Sequence, residues 1–495
     1  MDDHPRDPGR RGRRAEVHRM TGSRVLTLTV GTMSHGGHCV ARHEGRVVFV
    51  RHAVPGETVR AVVTDGDPSA RFWRADVIDV LEASDHRRRH PWKQADALRA
   101  YDHDQVPVGG ADYGHITDIH QRRLKSHVFR DTMQRIGGID ISGLDLTGFG
   151  PDGELPVQQL PGADGSGMHW RTRVSFGVAG GSLAMKPNRS NDLIALRAMP
   201  LAVEAVGASG IFSWDFTGAV TVDAVAPGGE PPLTLIVRTD PASGDQQRRA
   251  LAERLDQYAE FAPGVGSIIL AVPKQASRRR RYSQLRPTMV DYQVLTGERM
   301  ITEPLPAAVD GRSSVQLPPE GFWQIHRSAP RTLVEQVDQF AGLGPGGTAV
   351  DLYAGAGLFT AWAASRVGES GQVLSVEAAE GTSAAAQRLF RGLPSVEVVN
   401  ASAETVAARL ESADVVVLDP PRAGAAKTVL EGLSASQPQR IVYVSCDPAS
   451  FARDARVLAE LGWQIRDLAL LDMYPNTHHM ESVALFEPHS SAATR

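Results

Sequence analysis

Three side chains able to do covalent chemistry stand at the edges of apolar segments. Cys446 lies in VSCDPASFARD (444–454), Asp419 in LDPPRAG (418–424) and Glu481 in MYPNTHHMESVALF (473–486). A thiolate can add to an electron-poor carbon, and a neighbouring carboxylate can take the proton that must leave afterwards. Cys446 ends a strand-like run and precedes a helix start. Backbone N–H groups there are expected to favour the thiolate and lower a pKa of about 8.5. The two prolines after Asp419 stiffen its turn and hold it extended at a strand exit. Glu481 immediately precedes the last strand-like run, with Pro475, Thr477 and His479 shaping its approach. Plainer readings exist for each: a small buried hydrophobe, an ordinary strand exit, a surface acid. For Cys446 the strand-end position and the surrounding motif weigh against the plain reading; for Asp419 and Glu481 both readings stand open. Cys39, inside an apolar strand-like run, reads as structural.

A second pattern belongs to a cofactor. The strand ending at Asp351 runs into LYAGAGLFTAWAA, where Gly355 and Gly357 allow a ligand close to the backbone. The next strand ends at Glu377, an acid placed to accept from ribose hydroxyls. By itself this pattern does not separate NAD from S-adenosylmethionine.

These groups need a sheet to carry them. From Thr348 onward, TAVDLY, VLSVE, SVEVVN, DVVVLD, RIVYVS, WQIRDLALLD and SVALFE read as strands. Helical segments fill the first five gaps, so a parallel sheet covered on both faces is expected. Between Val25 and Glu82 about five short alternating strands predict a small closed barrel. ITDIHQRRLKSHVFRDTMQRIGG (116–138) predicts an amphipathic helix with Ile119, Leu124, Val128, Met133 and Ile136 on its apolar face. The stretch from Trp170 to about Asp310 mixes strands and helices. It includes ASRRRRYSQLR (276–286), a solvated hairpin tip or an RNA phosphate contact.

Composition excludes several classes. With 495 residues, 42% hydrophobic and 22% charged, the chain suits two or three ordinary domains. It has no apolar run of about 18 residues, so no membrane span is expected. The start, MDDHPRDPGRRGRRAEVHRM, has no apolar segment of a secretory signal and reads as a disordered tail. Two cysteines suit a reduced cytoplasmic protein and are too few for a four-thiolate iron–sulfur cluster. Net charge is −4, yet residues 1–90 carry 16 Arg against 12 acids and residues 341–495 carry 11 Lys+Arg against 17 acids. A basic front and an acidic back allow nucleic-acid binding at one end only, while the abundance of Arg over Lys throughout is equally a matter of composition.

In order, "FWQIH", "DLYAGAGLFT", "VLDPPRAG", "VSCDPASFARD" and "YPNTHHMES" resemble the uracil-5-methyltransferase family acting on tRNA and ribosomal RNA. "GGHCVARHEGRVVFVRHAVPGE" (36–57) resembles the TRAM domain, an OB-like barrel found on RNA-modifying enzymes. Together with the helix at 116–138 the resemblance covers nearly the whole chain. It implies a multidomain protein: an N-terminal OB-like TRAM barrel, a central α+β domain and a C-terminal α/β Rossmann-like methyltransferase domain. The expected bounds are a tail at 1–20, the barrel at 21–84, the central domain at 85–315, the catalytic domain at 316–489 and a tail at 490–495. The helix at 116–138 is expected to pack on the catalytic domain.

The resemblance further implies that S-adenosylmethionine methylates carbon 5 of an RNA uridine through a covalent cysteine adduct. Cys446 falls on the family's nucleophile and Glu481 on its base. Gln324, Tyr353, Glu377 and Asp419 fall on cofactor and uracil contacts, beside Gly355 and Gly357. In the barrel, Arg42, Arg46, Arg51, Phe72 and Arg74 are candidates for RNA contact, Phe72 being alternatively a core residue. The barrel favours ribosomal RNA over tRNA, and a monomer is expected. The sequence departs from the family at Leu358, where Asn is common, and at Asp447 and Ser450, where Asn and Thr are usual. Cysteines that hold an iron–sulfur cluster in many members are replaced by Val108, Gly109, Gly110, Ala111 and Met199–Pro200, so apolar packing must serve there. Rival readings are a methyltransferase for another RNA base, a non-catalytic RNA-binding protein of this fold, and an NAD enzyme. Cytosine enzymes normally carry a second cysteine near Asp-Pro-Pro, which this chain lacks.

Overall fold

A computed structural model describes residues 24–144, 146, 154–262, 264–273 and 290–489. The expected terminal tails and the arginine run at 276–286 lie outside the described residues. The chain forms two compact units. One takes the chain up to Leu124 together with Lys186–Ile194 and Asn476–His478; the other takes the remainder.

In the first unit, alternating apolar residues build an OB-like barrel of six strands rather than about five. They are Val25–Thr29, Met33–Ser34, His38–His43, Arg46–Arg51, Thr58–Asp65 and Phe72–Glu82. The run from Val25 to Ser34 pairs at its start with Thr58–Asp65 and at its end with His38–His43, which closes the sheet. Leu26, Leu28, Val48, Val50, Val59, Ala61, Ala75, Val77 and Cys39 point inward. Cys39 Sγ donates to the Ala53 carbonyl at 3.6 Å, and burial pushes its thiol up, so it is structural and inert. The candidate RNA residues divide. Arg51 is committed to a bidentate pair with Asp76 at 2.8 and 2.9 Å, which Tyr101 also bonds, so it holds the barrel together. Phe72 is 39% exposed beneath the Arg74 guanidinium and edge-on to Phe49, not a core residue. Arg42 is exposed, while Arg46 lies over the Trp73 ring.

In the second unit, an eight-stranded sheet carries the site. Its order is Val396–Asn400, Gln372–Glu377, Thr348–Leu352, Val415–Leu418, Arg440–Ser445, Glu481–Pro488, Trp463–Asp472 and Val157–Gln159. The first five are parallel, and helices fill the gaps between them as the sequence predicts. The all-parallel expectation fails at the end of the chain. Glu481–Pro488 enters between its two neighbours and runs antiparallel to both. A strand inserted there needs only a short return loop, whereas a parallel one would need a crossover. Val157–Gln159, from the stretch expected to be central, adds an edge strand.

The helix predicted at 116–138 spans Asp118–Thr132 and continues as one wider turn, Met133–Gly137, that stops at left-handed Gly138. Leu124, Val128 and Met133 are buried, but Ile119 is 62% exposed. Its C-terminal half joins a core with Tyr443, Phe451 and Phe486; Phe129 stacks on Phe451 at 5.8 Å. A mixed sheet places Ser182–Met185, Arg173–Ala179, Ala219–Val225, Thr234–Thr239, Ser267–Pro273 and Val290–Thr296 side by side. The hairpin Ile301–Val309/Arg312–Leu317 packs into the same core as Phe359, Trp362 and Ala386 of the Rossmann-like domain. Val108, Ala111 and Met199, expected to serve as apolar packing, are all buried.

Candidate active site

Strand register brings the chemistry together. Ser445 pairs with Ser482 in the antiparallel ladder, and Ser482 Oγ donates to the Ser445 carbonyl at 3.3 Å. Cys446 and Glu481 are the next residues outward on the two strands. Directly opposed residues of an antiparallel pair send their side chains to the same face with Cβ atoms roughly 5 Å apart. On the strand beside that of Cys446, Leu418 pairs with Tyr443, so Asp419 leaves the sheet at the same edge. Gln324 Nε2 donates to Asp419 Oδ2 at 3.3 Å. Tyr474 Oη donates to Glu481 Oε2 at 3.2 Å.

The three groups act on one another electrostatically. Glu481 is buried, and burial followed by repulsion from Asp419 holds its carboxyl well above the usual carboxylate range, with Arg422 partly opposing. Burial also raises Asp419, which Gln324 partly offsets. The Cys446 thiol is pushed up to about 12 by burial, then by Glu481 and Asp419. That reverses the expectation of a thiolate favoured by a helix start. Asp447 caps the helix Pro448–Glu460 itself, accepting from Ala449 N at 3.0 Å and Ser450 N at 2.8 Å, so those donors are taken. The charges that act on the sulfur are mainly those of carboxyls, with Arg422 partly opposing.

The cofactor positions lie at the adjoining strand ends. Gly355 N donates to Glu377 Oε2 at 2.8 Å and Ala379 N to Oε1 at 2.6 Å, fixing the acid against the glycine turn. Gly355 and Gly357 both take positive φ. A Cβ on Gly357 would meet Phe390 Cε2 at 2.7 Å, so a side chain at this position would force the Phe390 ring to shift. Asp351, buried beside them, accepts from Thr360 at 2.6 Å through one oxygen, and burial raises its carboxyl to about 7. Its other oxygen finds no partner among the described residues and is an acceptor a ligand donor can use. Open backbone, a fixed acid and an unsatisfied buried carboxylate oxygen fit a nucleoside cofactor with a cationic amino-acid end.

Of the sequence-predicted residues, Cys446, Glu481, Asp419 and Gln324 converge, and Glu377, Gly355 and Gly357 form the neighbouring turn. Tyr353 takes left-handed backbone (φ 63) at the first strand's exit. Burial raises its phenol to about 12, with the charges of Glu404 and Asp454 adding to the rise. Three participants escaped sequence reasoning. Tyr474 reaches Glu481 because the strands flanking their loop are paired, Leu471 with Glu481. Arg422 and Asp351 sit inside motifs already singled out, but nothing in a strand-end pattern gives their direction.

Comparison with known proteins follows the same outline. Residues 342–489 match the tRNA (uracil-5-)-methyltransferase family, and residues 19–78 match the TRAM domain. An uncharacterized RNA methyltransferase of Streptomyces avermitilis is 35% identical, over 93% of this chain and 98% of that protein. The 23S rRNA (uracil(1939)-C(5))-methyltransferase RlmD of Shewanella denitrificans is 28% identical, over 93% and 96%. The crystal structure of the Pyrococcus abyssi tRNA (uracil-54, C5)-methyltransferase with S-adenosyl-L-homocysteine superposes with TM-score 0.62 at 19% identity, covering 93% of this chain and 99% of that one. That last likeness is one of fold.

Proposed function

This chain belongs to the RNA uracil-5-methyltransferase family, whose members depend on S-adenosylmethionine, and we propose that it methylates carbon 5 of a uridine in ribosomal RNA through a covalent Cys446 adduct. One observation supports the reading: Ser445 pairs with Ser482, and Cys446 and Glu481 are the next residues outward on the two chain segments.

Carbon 5 of uracil is a weak nucleophile. When Cys446 Sγ bonds to carbon 6, the 5,6 double-bond electrons move toward carbon 5 and the carbon 4 oxygen, and carbon 5 becomes nucleophilic. Asp419, steadied by Gln324, is placed to orient the pyrimidine ring by hydrogen bonding. Gly355, Gly357, Glu377 and Asp351 would hold S-adenosylmethionine, whose sulfonium would supply an electrophilic methyl, carbon 5 bonding to that methyl as the methyl–sulfur bond breaks to give the thioether. Glu481 then takes the proton remaining on carbon 5. Those C–H electrons restore the 5,6 double bond, the carbon 6–sulfur bond breaks, and Cys446 leaves as thiolate. A raised carboxyl holds the proton it receives. A uridine within RNA structure must be flipped out to reach this edge.

Ribosomal RNA is favoured over tRNA by the TRAM barrel and by the likeness to RlmD over nearly the whole length. No described helix is long and apolar enough to cross a membrane; a cytoplasmic monomer suits the reading. Mass-spectrometric mapping of 5-methyluridine in ribosomal and transfer RNA from a deletion strain is the test. Loss of one ribosomal site is expected. Loss confined to tRNA overturns the substrate assignment, and no loss anywhere overturns the function.

A further inference from the structure

The loop that delivers Glu481 is gripped from one helix face. Gln121 and Lys125 stand four residues apart on the helix Asp118–Thr132 and so share a face. Lys125 Nζ, fully buried, donates to Asp472 Oδ1 at 2.6 Å and to the Tyr474 carbonyl at 3.1 Å. Gln121 takes the next part of the loop from both sides: its Nε2 donates to Asn476 Oδ1 at 3.0 Å and its Oε1 accepts from Asn476 N at 2.9 Å. Arg88 Nη2 donates to the same Asn476 Oδ1 at 2.6 Å, and Tyr113 N to the Asn476 carbonyl at 2.9 Å. Asn476 is wholly buried with φ 64, a left-handed position that Asn tolerates better than most residues. His478 continues the grip, its N and Nδ1 lying 3.2 and 2.7 Å from Asp112 Oδ2. Three residues later the chain reaches Glu481, which Tyr474 at the loop's other end bonds.

We propose that Asn476, with Gln121 and Arg88, positions Glu481 for removal of the carbon 5 proton. This rests on the reading of Glu481 as base. None of the three touches the reacting atoms. A base displaced by about 1 Å loses on the order of 10²-fold in rate, and the step lost is release of the adduct, not its formation.

The test uses the full-length chain, methyl-labelled S-adenosylmethionine and an unmodified large-subunit ribosomal RNA transcript. Asn476→Gly keeps the backbone conformation and removes both side-chain bonds. Turnover is expected to fall about 100-fold, with a denaturation-resistant, methyl-labelled protein–RNA adduct accumulating as it does in Glu481→Gln. Asn476→Asp keeps an acceptor for Arg88 and Gln121 and is expected to recover most of the rate. Arg88→Met, which spares the loop backbone, is expected to show a weaker form of the same adduct and stands in if Asn476→Gly fails to fold. An adduct with Glu481→Gln but none with Asn476→Gly or Arg88→Met overturns the positioning role alone. No adduct in any variant overturns the base assignment, and the positioning role with it.

Discussion

Cys446 and Glu481 stand one residue beyond the paired Ser445 and Ser482, on antiparallel strands separated by 35 positions of chain. The proposed mechanism gives them successive steps, so removing each should fail differently. Cys446→Ala is expected to abolish methylation while S-adenosylmethionine still binds, measured by calorimetry. Glu481→Gln is expected to lower turnover by about 10²- to 10⁴-fold and to leave a labelled RNA adduct on a denaturing gel. Methylation at wild-type rate by Cys446→Ala would end the covalent mechanism.

Both groups titrate upward, and this fixes the sign of the pH dependence. Glu481 works ionised, and burial with Asp419 beside it holds its carboxyl well above the ordinary range. Cys446 attacks as thiolate, with a thiol pushed up to about 12. Both active forms therefore grow as pH rises. kcat/KM measured from pH 6 to 9 is expected to climb throughout, with no descending limb. A profile that is flat or falls above pH 7 contradicts the assignment.

The sheet was legible because its strands are apolar runs of five or six residues separated by helices, a pattern with one architectural solution. The strand ends were legible for the same reason, and they carry Glu377, Asp419 and Cys446. The direction of the last strand was not. SVALFE is as apolar as the parallel strands, and only the short PNTHHM return shows that it turns back beside Arg440–Ser445. The thiol's electrostatics were also hidden. A helix start reads as positive from sequence, but Asp447 capping that helix and two carboxyls arriving from other strands are tertiary facts. Ile119 fitted a helical apolar stripe yet faces solvent, since periodicity marks a face without saying how far its cover extends.

The glycine turn discriminates between two neighbours. Gly357→Ala forces a Cβ to 2.7 Å from Phe390 Cε2 and into φ +96, whereas Gly355→Ala meets only Phe322 Cδ1 at 3.9 Å with φ +57. Strain at the first position is worth about 1–3 kcal/mol, and at the second about 1 kcal/mol. Gly357→Ala is expected to lower the melting temperature and weaken S-adenosylmethionine binding at least tenfold; Gly355→Ala should do less of both. Equal effects in calorimetry would show that the Phe390 contact does not shape the turn.

Acid should loosen the N-terminal unit first. Burial lowers His38 to about 4 and His52 to about 3, with the Arg51 cation adding to both, and burial lowers His90 and His115 as well. Neither ring nitrogen of His52 has a hydrogen-bond partner among the described residues. These rings are neutral in the fold, whereas in the unfolded chain they take up protons near pH 6.5. The unfolded state therefore binds more protons below that pH. Stability is fully present above about 6.5 and is lost as pH falls toward about 4, each fully depressed histidine costing about 1.4 kcal/mol per pH unit. Thermal unfolding of the full chain at pH 7.5, 6 and 5 is expected to show a steep fall in the transition temperature. His52→Leu, which removes one such ring and two unsatisfied nitrogens, is expected to shallow that fall and to be more stable than wild type at pH 5. A transition temperature constant from pH 7.5 to 5 would mean that these histidines are solvated or paired in the native protein.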